Sequence, residues 1–349
     1  MKLLITSILI ILIGFTGCSS STATRKPVTN IQITPSNNTI VYGNEFTITV
    51  QSKLNKPRIV EIEIYINNQL VEKVKSSSAS ITLNSKDFST GKHTIKTIAK
   101  NQDNKIGINY ASISIFSDLQ PKQLSYHLKG TFTHNTSYYT QGLEFYNNKL
   151  YEGTGNYDES FIYVYNPENK KIDQSLKIDV QYFGEGITIL NNKLYQLTYK
   201  AQKGFVYDVF TLEKINEFSF ASKEGWGLTN DGKNLIMSDG SSSLYFIHPE
   251  NFQIEKKIDV STPLAFISNI NELEYVDGVI YANIWTTQSI VKIEAKTGRV
   301  LAFIDMTGLM NNLTNHRIDV LNGIAYEPNE KLFYVTGKWW PSMFKVIFE

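Results

Sequence analysis

The chain has 349 residues with a net charge of +1, 42% hydrophobic and 19% charged residues. That balance excludes a disordered chain and leaves no basic footprint for nucleic acid. The single cysteine, Cys18, excludes an internal disulfide framework.

In chain order, the first element is a targeting segment at 1–17. Lys2 precedes an apolar run from Leu3 to Ile13 that is too short for a membrane span. Phe15-Thr16-Gly17-Cys18 closes it and resembles a bacterial lipobox, with Phe15 in place of the usual Leu. The expectation is export to the cell envelope, lipid attachment to Cys18 and a polar tether at 18–27.

Residues 28–117 read as a small immunoglobulin-like β-sandwich. Val28–Ile33, Phe46–Val50, Ile62–Ile66, Ile81–Leu83, His93–Ala99 and Tyr110–Ile115 alternate apolar and polar, with turn-forming residues such as Asn67-Asn68 and Thr90-Gly91 between them. No acid–base cluster occurs there, which suggests a spacer. Gln120-Pro121 then reads as a linker to a second domain at 122–349.

That domain is organised by a repeat. Gly142, Gly186, Gly227 and Glu272 are each followed nine residues later by Tyr151, Tyr195, Ile236 and Tyr281, and Gly323 is followed ten residues later by Phe333. Five copies of short strands at steps of about 40–50 residues indicate a five-bladed β-propeller. Asn147-Asn148, Asn191-Asn192, Asp231-Gly232, Asp277-Gly278 and Asn329-Glu330 fall where the first hairpin of each blade must turn. Phe344–Phe348 is expected as the third strand of the last blade, and Tyr126–Phe132 as the fourth strand that closes the ring.

The residues just before the aligned position are Gln141, Glu185, Trp226, Asn271 and Asn322. Equivalent positions of a propeller ring one mouth of its channel, so these predict a polar pocket with one acid–base group, Glu185. Lys200 and Lys338 coincide on the second strands of two blades, and Trp285 stands one position earlier in another. The five histidines lack ligand spacing, and no Cys pair or Gly-x-Ser-x-Gly is present, which disfavours a zinc enzyme and a nucleophilic hydrolase.

Tyr139-Thr140-Gln141-Gly142-Leu143, Phe183-Gly184-Glu185-Gly186-Ile187-Thr188, Glu224-Gly225-Trp226-Gly227-Leu228, Ser238-Asp239-Gly240-Ser241, Asn271-Glu272-Leu273 and Thr336-Gly337-Lys338 together resemble the plant-type glutaminyl-peptide cyclotransferases. The resemblance spans 122–349 and departs at Tyr199, where the family commonly carries Trp. It implies a five-bladed propeller that converts N-terminal glutamine of peptides or proteins to pyroglutamate without a cofactor or metal. On the same ground Glu185 is the expected catalytic group. Gln141, Asn271 and Lys338 are expected to bind substrate, with Trp226, Trp285, Phe183 and Tyr139 as apolar walls. A non-enzymatic ligand-binding propeller is the alternative; a sugar- or lactone-cleaving propeller would need a metal or a second carboxylate. A monomer is expected.

Overall fold

The computed structural model describes residues 25–53, 58–169, 171–311, 313 and 318–349. The expected leader and the lipidated Cys18 lie outside these residues.

The first ninety residues described form two facing sheets. Thr29–Thr34, Glu45–Ser52 and Ser78–Asn84 make a three-stranded sheet; Thr39–Val41, Ile106–Phe116, Gly91–Asn101, Ile59–Ile66 and Gln69–Val74 make a five-stranded one. The alternation in the sequence is the cause. Phe46, Ile48 and Val50 point inward from one strand and meet Ile62, Ile64, Ile95, Ile113 and Ile115 from the opposite sheet. Each such side chain contributes about 1.5–3 kcal/mol by leaving water. Thr39–Val41 and Gln69–Val74 are strands that the sequence reading omitted.

The rest of the described chain makes five sheets, each built on four antiparallel strands in the same spatial order. Their first strands are Thr140–Tyr146, Gly184–Leu190, Leu228–Asn230, Ile270–Val276 and Leu321–Glu327. Burial falls outward from them: Gly184–Leu190 is buried at every position, whereas Lys214–Ser219, the fourth strand of its sheet, is exposed at all but one. The five first strands pack against one another in succession, and the last returns to the first. The last sheet takes Ser342–Phe348 as its third strand and Tyr126–Thr133, from the start of the region, as its fourth. The start and the end of this region are thus knitted into one sheet.

Local chemistry accounts for the repeat. Asn147, Asn148, Asn191, Asn192, Asp277 and Gly278 turn their hairpins with positive φ, as does Gly232. In the fifth hairpin Asn329-Glu330 lies within the turn as expected, but the left-handed residue is Lys331, because this copy carries two extra residues between its paired strands. The aligned glycines mark close approach of neighbouring first strands. A Cβ on Gly142 would lie 2.6 Å from Ile187 N, and one on Gly227 would lie 2.0 Å from Asn271 O.

Glu272 occupies the one aligned position without glycine. It is fully buried, and its carboxylate accepts from Ile324 N at 2.7 Å and Leu143 N at 3.2 Å. Glu144 and Glu274 serve Ile189 N and Tyr326 N in the same way, each at 2.9 Å. These side chains satisfy inward-facing amides that have no neighbouring strand to pair with, which buried backbone requires.

The sandwich is docked, and the linker expected at Gln120-Pro121 is followed at once by structure. Lys122–Leu124 pairs in parallel with Val300–Asp305 as a fifth strand of the fourth sheet. Thr90 N donates to Thr297 O at 2.8 Å, Thr90 Oγ1 to Asp259 O at 2.6 Å, and Lys92 N to Asp259 Oδ2 at 3.1 Å. Phe116 stacks on Phe266 at 4.5 Å, and Arg299 spans from Asp118 to the face of Tyr42.

Candidate active site

A slip in strand pairing aims the ring residues. In the first sheet Thr140 pairs with Thr154, but Gly142 pairs with Gly153, so Gln141 is an extra residue. The same one-residue excess falls between Gly184 and Ile187, between Ile270 and Leu273, and between Leu321 and Ile324. Gln141, Glu185, Asn271 and Asn322 therefore all sit in β-bulges, which bend a strand and redirect its side chains. In the third sheet the equivalent Trp226-Gly227 precedes its strand and is held by bonds from Trp226 N to Ser238 O and from Gly227 N to Ser238 Oγ.

At the mouth of the ring a cavity of about 650 Å³ is lined by Glu185, Gln141, Asn271, Lys338, Trp226, Trp285, Phe183 and Tyr139. All eight residues expected at the site meet there. The four polar ones are each at most 5% exposed. Trp226 and Trp285 meet edge to face at 5.5 Å, Phe183 lies edge-on to Tyr139 at 6.2 Å, and Lys338 Nζ rests 4.5 Å above the Tyr139 ring. Asn322 is the exception among the ring residues. It is wholly buried behind the cavity, and its Nδ2 donates to Thr140 O and to Gln141 Oε1 at 3.1 Å. With Oε1 so engaged, Gln141 presents its NH₂ to the cavity. Strand pairing makes Tyr199 and Trp285, not Lys200, the counterparts of Lys338: the amides of Tyr199, Trp285 and Lys338 donate to Phe183 O, Asn269 O and Val320 O respectively, and all three side chains line the cavity. Lys200 is at the exposed rim beside Glu224 at 3.7 Å.

Burial pushes the Glu185 carboxyl well above its ordinary 4.5; Lys338 opposes that shift and Glu224 adds to it. Lys338 is pushed down by burial, against the pull of Glu185 and Asp319. Burial thus disfavours the charged form of both groups, and each one's charge offsets part of that cost for the other. Asn271 Oδ1 is a buried acceptor with no hydrogen-bond partner among the described residues. A buried polar atom without a partner marks a place for a ligand donor.

Three further carboxylates surround the site that the ring pattern did not single out. Glu224 and Asp239 line the cavity, so Glu185 is not its sole acid. Glu224 Oε2 accepts from Trp226 Nε1 at 3.0 Å and fixes the indole. Asp239 accepts from Ser222 Oγ at 2.7 Å, Tyr245 OH at 3.0 Å and Ser241 N at 3.1 Å. Asp319 Oδ2 accepts from Tyr139 OH at 3.3 Å. Gly240, with φ of +79°, lets Trp226 lie against its backbone; a Cβ there would come within 2.7 Å of the indole. The signals were the loop motifs Glu224-Gly225-Trp226 and Ser238-Asp239-Gly240-Ser241, which lie off the aligned positions.

An acid at the mouth of a ring of sheets, flanked by amides, an ammonium and indoles, defines a pocket that can hold a small polar group and exchange protons with it. Comparison with known proteins gives the family. The profile described as Glutamine cyclotransferase matches residues 100–348, and that of a bacterial Ig domain matches 27–96. The glutaminyl-peptide cyclotransferase of Arabidopsis thaliana is 36% identical over 219 residues, covering 62% of this chain and 68% of that protein. The crystal structure of Myxococcus xanthus glutaminyl cyclase superimposes with a TM-score of 0.61 at 31% identity, covering 66% of this chain and 99% of that one. The chain belongs to the glutamine cyclotransferase family, with an Ig-like domain ahead of the family region.

Proposed function

We propose that the protein is a glutaminyl-peptide cyclotransferase that closes an N-terminal glutamine to pyroglutamate and releases ammonia, with Glu185 moving the proton. The observation that carries this is Glu185 itself: a buried carboxyl with a raised pKa, facing Lys338, in a cavity that also presents Gln141 and Asn271.

Both reacting groups belong to one residue, so the site has mainly to hold a near-attack conformer. The Trp226, Trp285, Phe183 and Tyr139 walls confine the glutamine side chain. Asn271 Oδ1 accepts an N–H of the α-amine and turns the lone pair toward the side-chain carbonyl carbon. The amine nitrogen bonds to that carbon, giving a tetrahedral intermediate whose oxygen carries the charge. Gln141 NH₂ and Lys338 Nζ donate to this oxygen. Ionised Glu185 takes one proton from the attacking nitrogen and delivers it to the leaving nitrogen. The carbon–nitrogen bond of the side-chain amide then breaks, and ammonia departs. One proton is moved and returned, so Glu185 ends the cycle as it began. Positioned acid–base help of this kind is worth about 10²–10⁴-fold.

In this reading the five sheets are the blades of a five-bladed β-propeller, and the protein acts as a monomer held at the cell envelope by a lipid on Cys18. The test of activity is mass spectrometry of a Gln-initiated peptide with coupled ammonia detection, with and without EDTA. Chelator-insensitive loss of ammonia is expected; tight binding of the peptide without turnover would contradict it. Cys18→Ser should move the protein from the membrane to the soluble fraction with activity kept, and light scattering should report the mass of one chain.

A further inference from the structure

The active-site cavity does not end at its own walls. A second cavity, of about 790 Å³, lies beside it between the second and third sheets, and Glu224 and Asp239 line both. The second cavity is apolar on much of its lining, with Phe220, Met237, Tyr245, Ile247, Phe252 and Ile254. Ile254 is 48% exposed, and Phe252 is covered on one face by Phe218, with rings 4.3 Å apart and near parallel. The mechanism above makes no use of this space.

We propose that it is a peptide subsite, which takes an apolar side chain on the residue two places after the N-terminal glutamine. The inference rests on the cyclotransferase reading and deepens it, from glutamine as substrate to a peptide with a preferred sequence. Three observations support it. A peptide whose first residue fills the catalytic cavity must leave through its opening, and Glu224 and Asp239 are the residues that this cavity shares with the second one. At that seam Asp239 is saturated by Ser222, Tyr245 and Ser241, whereas Glu224 Oε1 meets Lys200 Nζ at only 3.7 Å and can accept a peptide N–H. In an extended peptide alternate side chains share a face. The third side chain therefore turns the same way as the glutamine, toward the apolar lining and away from solvent.

The test compares kcat/KM for glutaminamide, Gln-Ala-Phe-amide and Gln-Ala-Asp-amide, by ammonia release, in the full chain and in Ile254→Asp. Burial of a phenylalanine side chain supports a preference of about tenfold or more for the Phe peptide over the Asp peptide. The Ile254→Asp substitution, at a half-exposed position that folding tolerates, should bring that ratio close to one. Because both peptides are read in the same preparation, a partly unfolded variant does not change the ratio. Equal kcat/KM for the two peptides in the unsubstituted protein would overturn the proposal, as would a ratio that survives Ile254→Asp. Failure of glutaminamide and both peptides to release ammonia would instead overturn the cyclotransferase reading, and the subsite with it.

Discussion

Glu152 and His134 form a buried ion pair at the point where the ring of sheets closes, and its removal gives a worked prediction. His134 follows the strand supplied to the last sheet, and Glu152 belongs to the first. His134 Nε2 donates to Glu152 Oε1 at 3.0 Å while Nδ1 donates to Trp340 O at 2.8 Å, so the ring donates from both nitrogens. Glu152 also accepts from Thr140 Oγ1 and Tyr165 OH, each at 2.6 Å. Burial alone would push the imidazole pKa down, but Glu152 more than offsets it and holds it above 6.5. Burial would likewise raise the Glu152 pKa, but His134 and the three hydrogen bonds lower it below 4.5. Substitution of one partner of such a pair costs about 3–5 kcal/mol. For a unit of 150–250 residues each kcal/mol shifts Tm by roughly 2–4 °C, so Glu152→Gln should melt about 6–20 °C lower. The sign with pH follows from the two shifts. The lowered Glu152 pKa gives stability that is present above 4.5 and lost as pH falls through the folded value. The raised His134 pKa gives stability that is full below 6.5 and lost as pH rises through the folded value. The gap between wild type and Glu152→Gln, measured by urea denaturation at several pH values, should be widest from 4.5 to 6.5. A loss below about 1 kcal/mol across that window would refute the ion-pair account.

Three other outcomes are expected. The acid limb of kcat/KM should lie above 4.5, the ordinary value for Glu185. Lys338→Met should move it to higher pH, and Glu224→Gln to lower pH; pH–rate profiles with the reverse order would contradict the electrostatics. Gly227→Ala should cost at least about 1–3 kcal/mol by overpacking and also raise KM, since the new methyl meets the backbone of Asn271. Gly232→Ala, with nothing within 4 Å of the added carbon and only a positive φ to strain, should cost less in the same denaturation assay. A chain beginning at Pro121 keeps Lys122–Leu124 and should keep its rate on short peptides, but with lower stability than the full chain, because Phe266 and Arg299 lose Phe116, Asp118 and Tyr42.

Much of the architecture was legible because most of the sheets solve the same two problems with the same residue types. Asx and glycine turn the first hairpin, and a small residue lets neighbouring first strands touch. The site was legible for a related reason: the residue ahead of the aligned position sits in a bulge in four sheets and just ahead of its strand at Trp226, so one offset finds Gln141, Glu185, Trp226, Asn271 and Asn322. The offset does not say which of these reach the cavity. Asn322 has the composition of a binding residue and serves as a brace for Gln141. Glu224, Asp239 and Asp319 were not found by the ring offset because they come from loops, where residues share no register from sheet to sheet. The docking of the sandwich was also hidden, since its bonds run largely from Thr90 and Lys92 to backbone and side chain of Asp259, and backbone partners leave no mark in a sequence.

The account rests on Glu185 as the group that moves the proton, and one pair of variants tests that most directly. Glu185→Gln keeps size and hydrogen bonding and removes proton transfer, while Gln141, Asn271, Lys338 and the aromatic walls stay in place. Glu272→Gln alters an equally buried carboxyl that ties Ile324 and Leu143 together and does not line the cavity. Measured as ammonia release from a Gln-initiated peptide below the melting temperature of each variant, kcat of Glu185→Gln should fall by about 10²–10⁴, with KM little changed. Glu272→Gln should lose stability and much less kcat. A near wild-type kcat for Glu185→Gln, or a deeper loss of kcat in Glu272→Gln, would contradict the assignment.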